Sequence, residues 1–190
     1  METLTLQQKQ TLLTLARNAI GRRLGLPGRE VQSERQLLNQ AMACFVTLKI
    51  KGELRGCVGT LEPRHPLWQG VQRMAVAAAF EDSRFAPLTA DEWPQVKVSI
   101  SLLTPSEPLL VSGETELLQR LTPGEDGLTL DFGQNHATFL PAVWESLPKP
   151  ADFVLHLKRK AGLDPEFWSD KIHWFRYHAI NFSEAESGSV

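Results

Sequence analysis

Apolar residues along this chain switch between two periods, and each switch marks an element boundary. From Thr5 to Leu24 the apolar positions Leu12, Leu15, Ala16, Ala19, Ile20 and Leu24 recur at helical spacing. Thr5 and Gln8 have the spacing of a capping box, and Gly25 with Pro27 ends the run. Ser33–Gln40 is expected to form a short second helix capped by Ser33. The pattern then changes. Ala43–Ile50 and Glu53–Val58 carry β-branched and aromatic residues on either side of Lys51-Gly52, which predicts a hairpin. Pro66 opens a helix whose stripe of Leu67, Val71, Met74, Ala75 and Ala78 is small enough to pack close to a sheet, and which stops near Asp82-Ser83.

Val96, Val98, Ile100 and Leu102 alternate with Lys97, Ser99 and Ser101, the pattern of a half-buried antiparallel strand. Glu114–Leu121 reads as a short helix. Gly127–Phe132 and His136–Leu140 read as a second hairpin around Gly133-Gln134-Asn135. Pro150–Ala161 is a helix with Gly162 as its C-cap, Ile172–Phe182 is a last long strand, and Glu184–Val190 is a frayed tail. Hairpins and helices alternate irregularly and no regular βαβ series appears. The fold class is therefore α+β with mainly antiparallel pairing. Residues 1–190 are read as one domain, without linker, repeat or low-complexity segment.

Composition changes this picture little. Of 190 residues, 42% are hydrophobic and 22% charged, and the formal net charge is −2. That balance gives no call for nucleic acid or an acidic membrane. No apolar run approaches the roughly 20 residues that span a bilayer, and Met1–Gln10 lacks the pattern of a secretory signal. Two cysteines do not make a disulfide framework, so a reducing cytoplasm is the expected location. With Lys51-Gly52 as a two-residue turn, Cys44 falls opposite Gly59 and Cys57 is its diagonal neighbour, too far for a disulfide. Both are expected as free thiols. Arg17, Arg22 and Arg23 read as a solvated helix face.

The chemistry concentrates in Leu54-Arg55-Gly56-Cys57-Val58-Gly59-Thr60. Glycines let backbone N–H groups approach a ligand. In an extended segment Arg55 and Cys57 project to one face, and a guanidinium beside a thiol favours the reactive thiolate. Cys57 is accordingly the candidate nucleophile and His65, eight residues on, the candidate base. Arg55, Gly56, Gly59, Thr60, Asp82 and Arg84 are the candidate substrate contacts. The alternative is a bulged strand end in which a small cysteine packs and glycine relieves crowding. Glu81 and Asp82 sit at a helix C-terminus, where carboxylates are disfavoured. Asp82 therefore needs a cation, Arg84 or Arg55, either as a clamp or as a pocket wall. No Cys-x-x-Cys or His-Glu-x-x-His occurs, and no metal or cofactor is expected. Trp93, Trp144 and Trp168 are expected as core anchors.

Five ordered segments carry a family resemblance: FVTLKIKGELRGCVGTLEP, AAFEDSRFAPLT, VKVSISLLTPSEP, GEDGLTLDFGQNHATFLPAVWESLP and FVLHLKRKAGLDPEFW. Together they resemble the AMMECR-type domain, also called AmmeMemoRadiSam system protein A. The resemblance implies a soluble α+β fold of two interleaved subdomains, each an antiparallel sheet with helices, and a groove between them. It implies two partners, a Memo-type protein related to extradiol dioxygenases and a radical-SAM protein. It does not imply a reaction. The chain matches the family pattern at Arg55, Gly56, Cys57, Gly59, Thr60, Asp82, Arg84 and Phe85. Ser83 stands where the family pattern has proline, and His136 where arginine or another polar residue is expected. Two readings follow. One is an enzyme or enzyme subunit with a cysteine-centred pocket for a small organic substrate. The other is a non-catalytic module that serves the partner proteins.

Overall fold

The protein is described by a computed structural model covering residues 4–31 and 38–184. The predicted Ser33 cap and most of its helix lie outside the described residues, as does the tail beyond Glu184. The chain divides into two compact units, Met1–Leu103 with Ile180–Val190, and Thr104–Ala179.

In the first unit, helix α1 (Leu6–Arg23) starts at the expected box: the Thr5 side chain accepts from the Gln8 amide, and the Gln8 side chain accepts from the Thr5 amide. Strands β1 (Cys44–Ile50) and β2 (Glu53–Gly59) form the expected hairpin. Lys51 and Gly52 both take positive φ, +52° and +85°, the conformation that a twisted two-residue hairpin turn requires. Helix α2 (Leu67–Phe80) follows, then β3 (Val96–Leu103), which pairs antiparallel with β1. The end of β7 (His173–Ser183) completes the strand order β2-β1-β3-β7 in this unit. Leu12, Ala16 and Ile20 of α1, Val71, Ala75 and Ala78 of α2, and Val46, Leu48, Val98, Ile100 and Leu102 of the sheet form one buried core. The alanine face of α2 lets it press directly on β2. A Cβ added at Gly56 would lie 2.0 Å from the Ala78 carbonyl oxygen, so glycine is required there by helix-to-strand contact.

One expectation for α1 fails. Arg17 is not part of a solvated face: it pairs with Glu184, donates to the Val96 carbonyl, and lies 4.6 Å from the Trp93 ring centre. The long side chain buries its stem and finds its charge partner 167 residues away.

The second unit contains β4 (Glu107–Pro108), α3 (Glu114–Arg120), β5 (Asp126–Phe132), β6 (Asn135–Phe139), α4 (Pro150–Lys160) and the start of β7. Here β7 pairs antiparallel with both β5 and β4, and β5 with β6. Pro108 is accommodated because β4 is a two-residue edge strand. Leu128, Leu130, Phe153, Leu157 and Trp174 build a separate core, and Trp144 stacks on Phe153 with ring centres 3.8 Å apart. The C-cap of α4 is Ala161, one residue before the expected Gly162, which takes φ +79° just beyond it and ends the helix.

Candidate functional site

The hairpin register places the cysteine motif differently from a simple count. Near the turn, Ile50 faces Glu53 and Lys49 faces Leu54. Beyond it, Leu48 faces Gly56, Thr47 faces Cys57 and Phe45 faces Gly59. Arg55 is therefore the extra residue of a β-bulge. The expectation that Cys44 lies opposite Gly59 is corrected by this one-residue shift. Cys44 is instead buried with Val46 and Leu48, and burial pushes its thiol up to about 12. Cys57 lies across from Thr47 and is half-buried; both cysteines are free thiols.

The bulge also removes the simple period-two relation between Arg55 and Cys57. Arg55 turns its guanidinium to Glu92, with Nε at 2.8 Å and Nη2 at 3.1 Å from the two carboxylate oxygens, and donates to the Ala86 carbonyl. This fork-to-fork pair pulls the Glu92 carboxyl down to about 2, helped by the Thr89 amide and hydroxyl. The cation that bonds the Cys57 segment is Arg84, through the main-chain carbonyl.

Asp82 and Arg84 grip the Cys57 main chain. The Cys57 amide donates to Asp82 Oδ2 at 2.9 Å, and Arg84 Nη2 donates to the Cys57 carbonyl at 3.2 Å. Arg84 also binds both Asp82 oxygens, at 2.9 and 2.7 Å. On β2, which among the described residues has a strand neighbour on one side only, these two side chains take the place of a further strand. Asp82 is buried, and the Arg84 guanidinium followed by the Cys57 amide holds its carboxyl far below the usual carboxylate range. The carboxylate that α2 leaves at its C-terminal end thus has its compensating cation in Arg84. Phe85 lies beneath both guanidinium groups, with ring-centre distances of 5.8 Å to Arg55 and 5.5 Å to Arg84. At the sulfur itself, the Thr47 hydroxyl donates to Cys57 Sγ at 3.2 Å.

The family model AMMECR1 matches residues 13–182. The chain belongs to the AMMECR1 family. It is 33% identical to Protein MJ0810 of Methanocaldococcus jannaschii over 98% of this chain and 94% of that one. It is 36% identical to a protein of Aquifex aeolicus over 76% of each. The crystal structure of the uncharacterized protein PH0010 from Pyrococcus horikoshii superposes with a TM-score of 0.77 at 29% identity, covering 93% of this chain and 91% of that one. That likeness agrees with the antiparallel α+β architecture described above.

Within this AMMECR1 domain the structure brings Arg55, Gly56, Cys57, Asp82 and Arg84 into one cluster. His65 and Thr60 stand elsewhere. His65 is half-buried on the loop before α2 and makes no hydrogen bond to Cys57 among the described residues. Thr60 closes a turn, its hydroxyl accepting from the Glu62 amide and donating to the Glu62 carbonyl. Gly59 is covered by Phe45: a Cβ there would meet the ring at 2.2 Å, so this glycine serves packing. Sequence reading missed Thr47, Phe85 as a ring platform, and Glu92. Thr47 follows from the register once the bulge is known, whereas Glu92 is 37 residues from Arg55 and carried no local signal.

The second unit holds another polar cluster that sequence reading did not single out. Asp126, 1% exposed, accepts from the Thr122 amide at 2.7 Å and lies 3.0 Å from His178 Nε2 and 3.9 Å from Arg176. His178 itself is about half exposed. No described helix is long and apolar enough to cross a membrane.

Proposed function

We propose that this AMMECR1 domain binds a small organic substrate at Cys57, with the sulfur as the reacting or contacting atom. The observation that carries this reading is the setting of that sulfur. It belongs to a half-buried residue and accepts a hydrogen bond from Thr47, and the main-chain carbonyl of the same residue is held by Arg84, whose own side chain is 54% exposed. Arg84 has the exposure to meet an anionic group on a ligand while Asp82 fixes its position. Gly56 and the main-chain clamp hold the segment rigid, which is what a pre-organised site requires. His65 keeps the role of base only if a substrate bridges it to the sulfur. No cofactor is invoked. The reading includes action beside the Memo-type and radical-SAM proteins that the family resemblance implies, in a reducing cytoplasm.

Iodoacetamide alkylation of the folded chain across a pH series tests this, with Cys57 and Cys44 separated by peptide mass. Rapid modification of Cys57 that slows in Arg84→Ala is the expected result. A Cys57 as inert as Cys44 would end the proposal.

A second reading rests on a different observation. Asp82 and Arg84 each hydrogen-bond the Cys57 main chain, so the motif also has the form of a lock on an edge strand. In that reading the domain is a non-catalytic module for the same partners. Its mark would be a Cys57→Ser chain that still co-purifies with a Memo-type or radical-SAM protein and remains functional in cells.

A further inference from the structure

Between α1 and α2 lies an open groove of about 450 Å³ whose lining includes Ala19, Arg22, Arg73, Val76, Ala77 and Glu81. It belongs wholly to the first unit and shares no residue with the Cys57 cluster. Helix spacing explains its walls. Ala19 and Arg22 are three residues apart on α1, and Arg73 and Ala77 four apart on α2, with Glu81 four further on at the helix end. Residues at these intervals share one helix face, so each helix brings an arginine and a small apolar residue to the groove. The two helices meet at their C-terminal ends, where the Arg23 guanidinium lies 6.0 Å from the Phe80 ring centre.

The arginines of this groove have no counter-ion. Arg22, Arg73 and Glu81 are exposed, and their side chains make no ion pair or hydrogen bond among the described residues. Elsewhere in this unit Arg17, Arg55, Arg64 and Arg84 each meet a carboxylate. Two guanidiniums in one groove repel each other, and the apolar Ala19, Val76 and Ala77 in the same lining screen them less than open water does. An anion brought from outside relieves that repulsion and stays within reach of solvent-accessible donors.

The donors set the class of anion. A guanidinium offers paired N–H bonds to two oxygens. A carboxylate is matched by one such fork, whereas a phosphate monoester has three terminal oxygens and can be shared by two. Glu81 and the net charge of −2 disfavour a polyanion such as a nucleic-acid backbone. The volume is that of a small-molecule site, and the apolar residues suit a carbon skeleton. We propose that this groove binds a small phosphate monoester with an apolar organic part, its phosphate shared between Arg22 and Arg73. This site is independent of the reading offered for Cys57.

The full chain, labelled with nitrogen-15, is titrated with phenyl phosphate while the assigned Arg22 and Arg73 Nε–H resonances are followed. Both resonances should shift and saturate together. Inorganic phosphate lacks the ring and benzoate lacks the third oxygen, so each should bind at least about threefold more weakly. Arg22→Gln and Arg73→Gln should each weaken phenyl phosphate by about tenfold or more, since one charged fork is lost. Arg29→Gln removes an exposed arginine outside the groove and should leave the affinity unchanged. Glu81→Gln removes a like charge and should tighten binding by about 2- to 5-fold. The proposal is overturned if neither resonance saturates, or if Arg29→Gln weakens binding as much as the groove variants do. Inorganic phosphate binding as tightly as phenyl phosphate would mark an adventitious ion only and overturn it too, as would weaker binding by Glu81→Gln.

Discussion

Asp82 accepts the Cys57 amide at 2.9 Å, 25 residues along the chain, and so ties the end of α2 to the cysteine strand. Because Arg84 neutralises the same carboxylate, the tie is a charged group with its counter-charge built in. Its carboxyl is depressed in the fold, so its contribution to stability is complete above the unfolded carboxyl value of about 3.9 and is lost as pH falls below it. Asp82→Asn should lower the urea midpoint at pH 7. The gap between variant and wild type should close steadily below about pH 4. A gap that persists unchanged into acid would mean that the ionised form is not what the strand uses.

Glu92 gives the same sign for a second tie. Arg55 and the Thr89 amide lower its carboxyl to about 2, so the stabilisation is present at neutral pH and fades between the ordinary glutamate value and that one. Glu92→Gln should steepen urea unfolding losses at pH 7 and be nearly silent near pH 2. It should also leave Arg55 without its fork partner, and the Cys57 alkylation rate then reports whether the bulge holds without it.

The glycines of the motif separate packing from chemistry. Gly56→Ala forces a methyl to within 2.0 Å of the Ala78 carbonyl oxygen, where backbone faces backbone and neither side chain can yield. Overpacking of this kind costs about 1–3 kcal/mol or more. Gly21→Ala, inside α1 with only an ordinary contact to the Leu26 Cβ at 3.8 Å, is the control and should be neutral or slightly stabilising. Chemical denaturation of the two variants side by side checks the ranking.

These contacts also show what the sequence could and could not reveal. The Thr5–Gln8 box, the Lys51-Gly52 turn, the alanine face of α2 and the helix stop at Gly162 were all readable, because each depends on residues a few positions apart. The bulge at Arg55 was not. It shifts every pair beyond it by one residue, and it coexists with α2 pressing on Gly56 and with Glu92 holding the Arg55 side chain, contacts that local spacing does not encode. The need for a cation at Asp82 could be argued from the helix end alone, and Arg84 meets it. Arg17 escapes a local reading for the same reason as Arg55: its partners Glu184, Val96 and Trp93 are brought by other elements. The residues of the motif could thus be named from sequence, but which cation serves which group could not.

Cys44 gives an alkaline prediction of opposite sign. Burial raises its thiol to about 12, so in the window from about 8.5 upward the unfolded chain releases this proton and the folded chain keeps it. Stability must then fall as pH rises through that window. Tyr177, also pushed up to about 12 by burial, extends the decline to higher pH. Cys44→Ala should be less stable at pH 7 through lost packing, yet show a flatter decline between about pH 8.5 and 10. Urea midpoints measured at half-unit steps decide it, and parallel slopes for variant and wild type would refute the assignment to Cys44.

Lys158 and Glu114 form a pair whose two halves are not equivalent. The Lys158 ammonium is fully buried, donating to Glu114 at 2.8 Å and to the Pro165 carbonyl at 3.0 Å, whereas the Glu114 side chain is 36% exposed. Removing the carboxylate leaves a buried cation with one carbonyl; removing the ammonium leaves a carboxylate that water can reach. A fully buried orphan charge costs about 3–5 kcal/mol, and the access of solvent on the Glu114 side reduces that to about 1–3 kcal/mol here. Replacing the cation with an apolar chain of similar length removes its own desolvation cost, and the charge left behind is the Glu114 carboxylate, which water reaches. Glu114→Gln should therefore lower the unfolding midpoint more than Lys158→Met, although Lys158 is the more deeply buried partner. If Lys158→Met proves the more damaging, the ammonium contributes through Pro165 and Trp168 rather than through its ion pair.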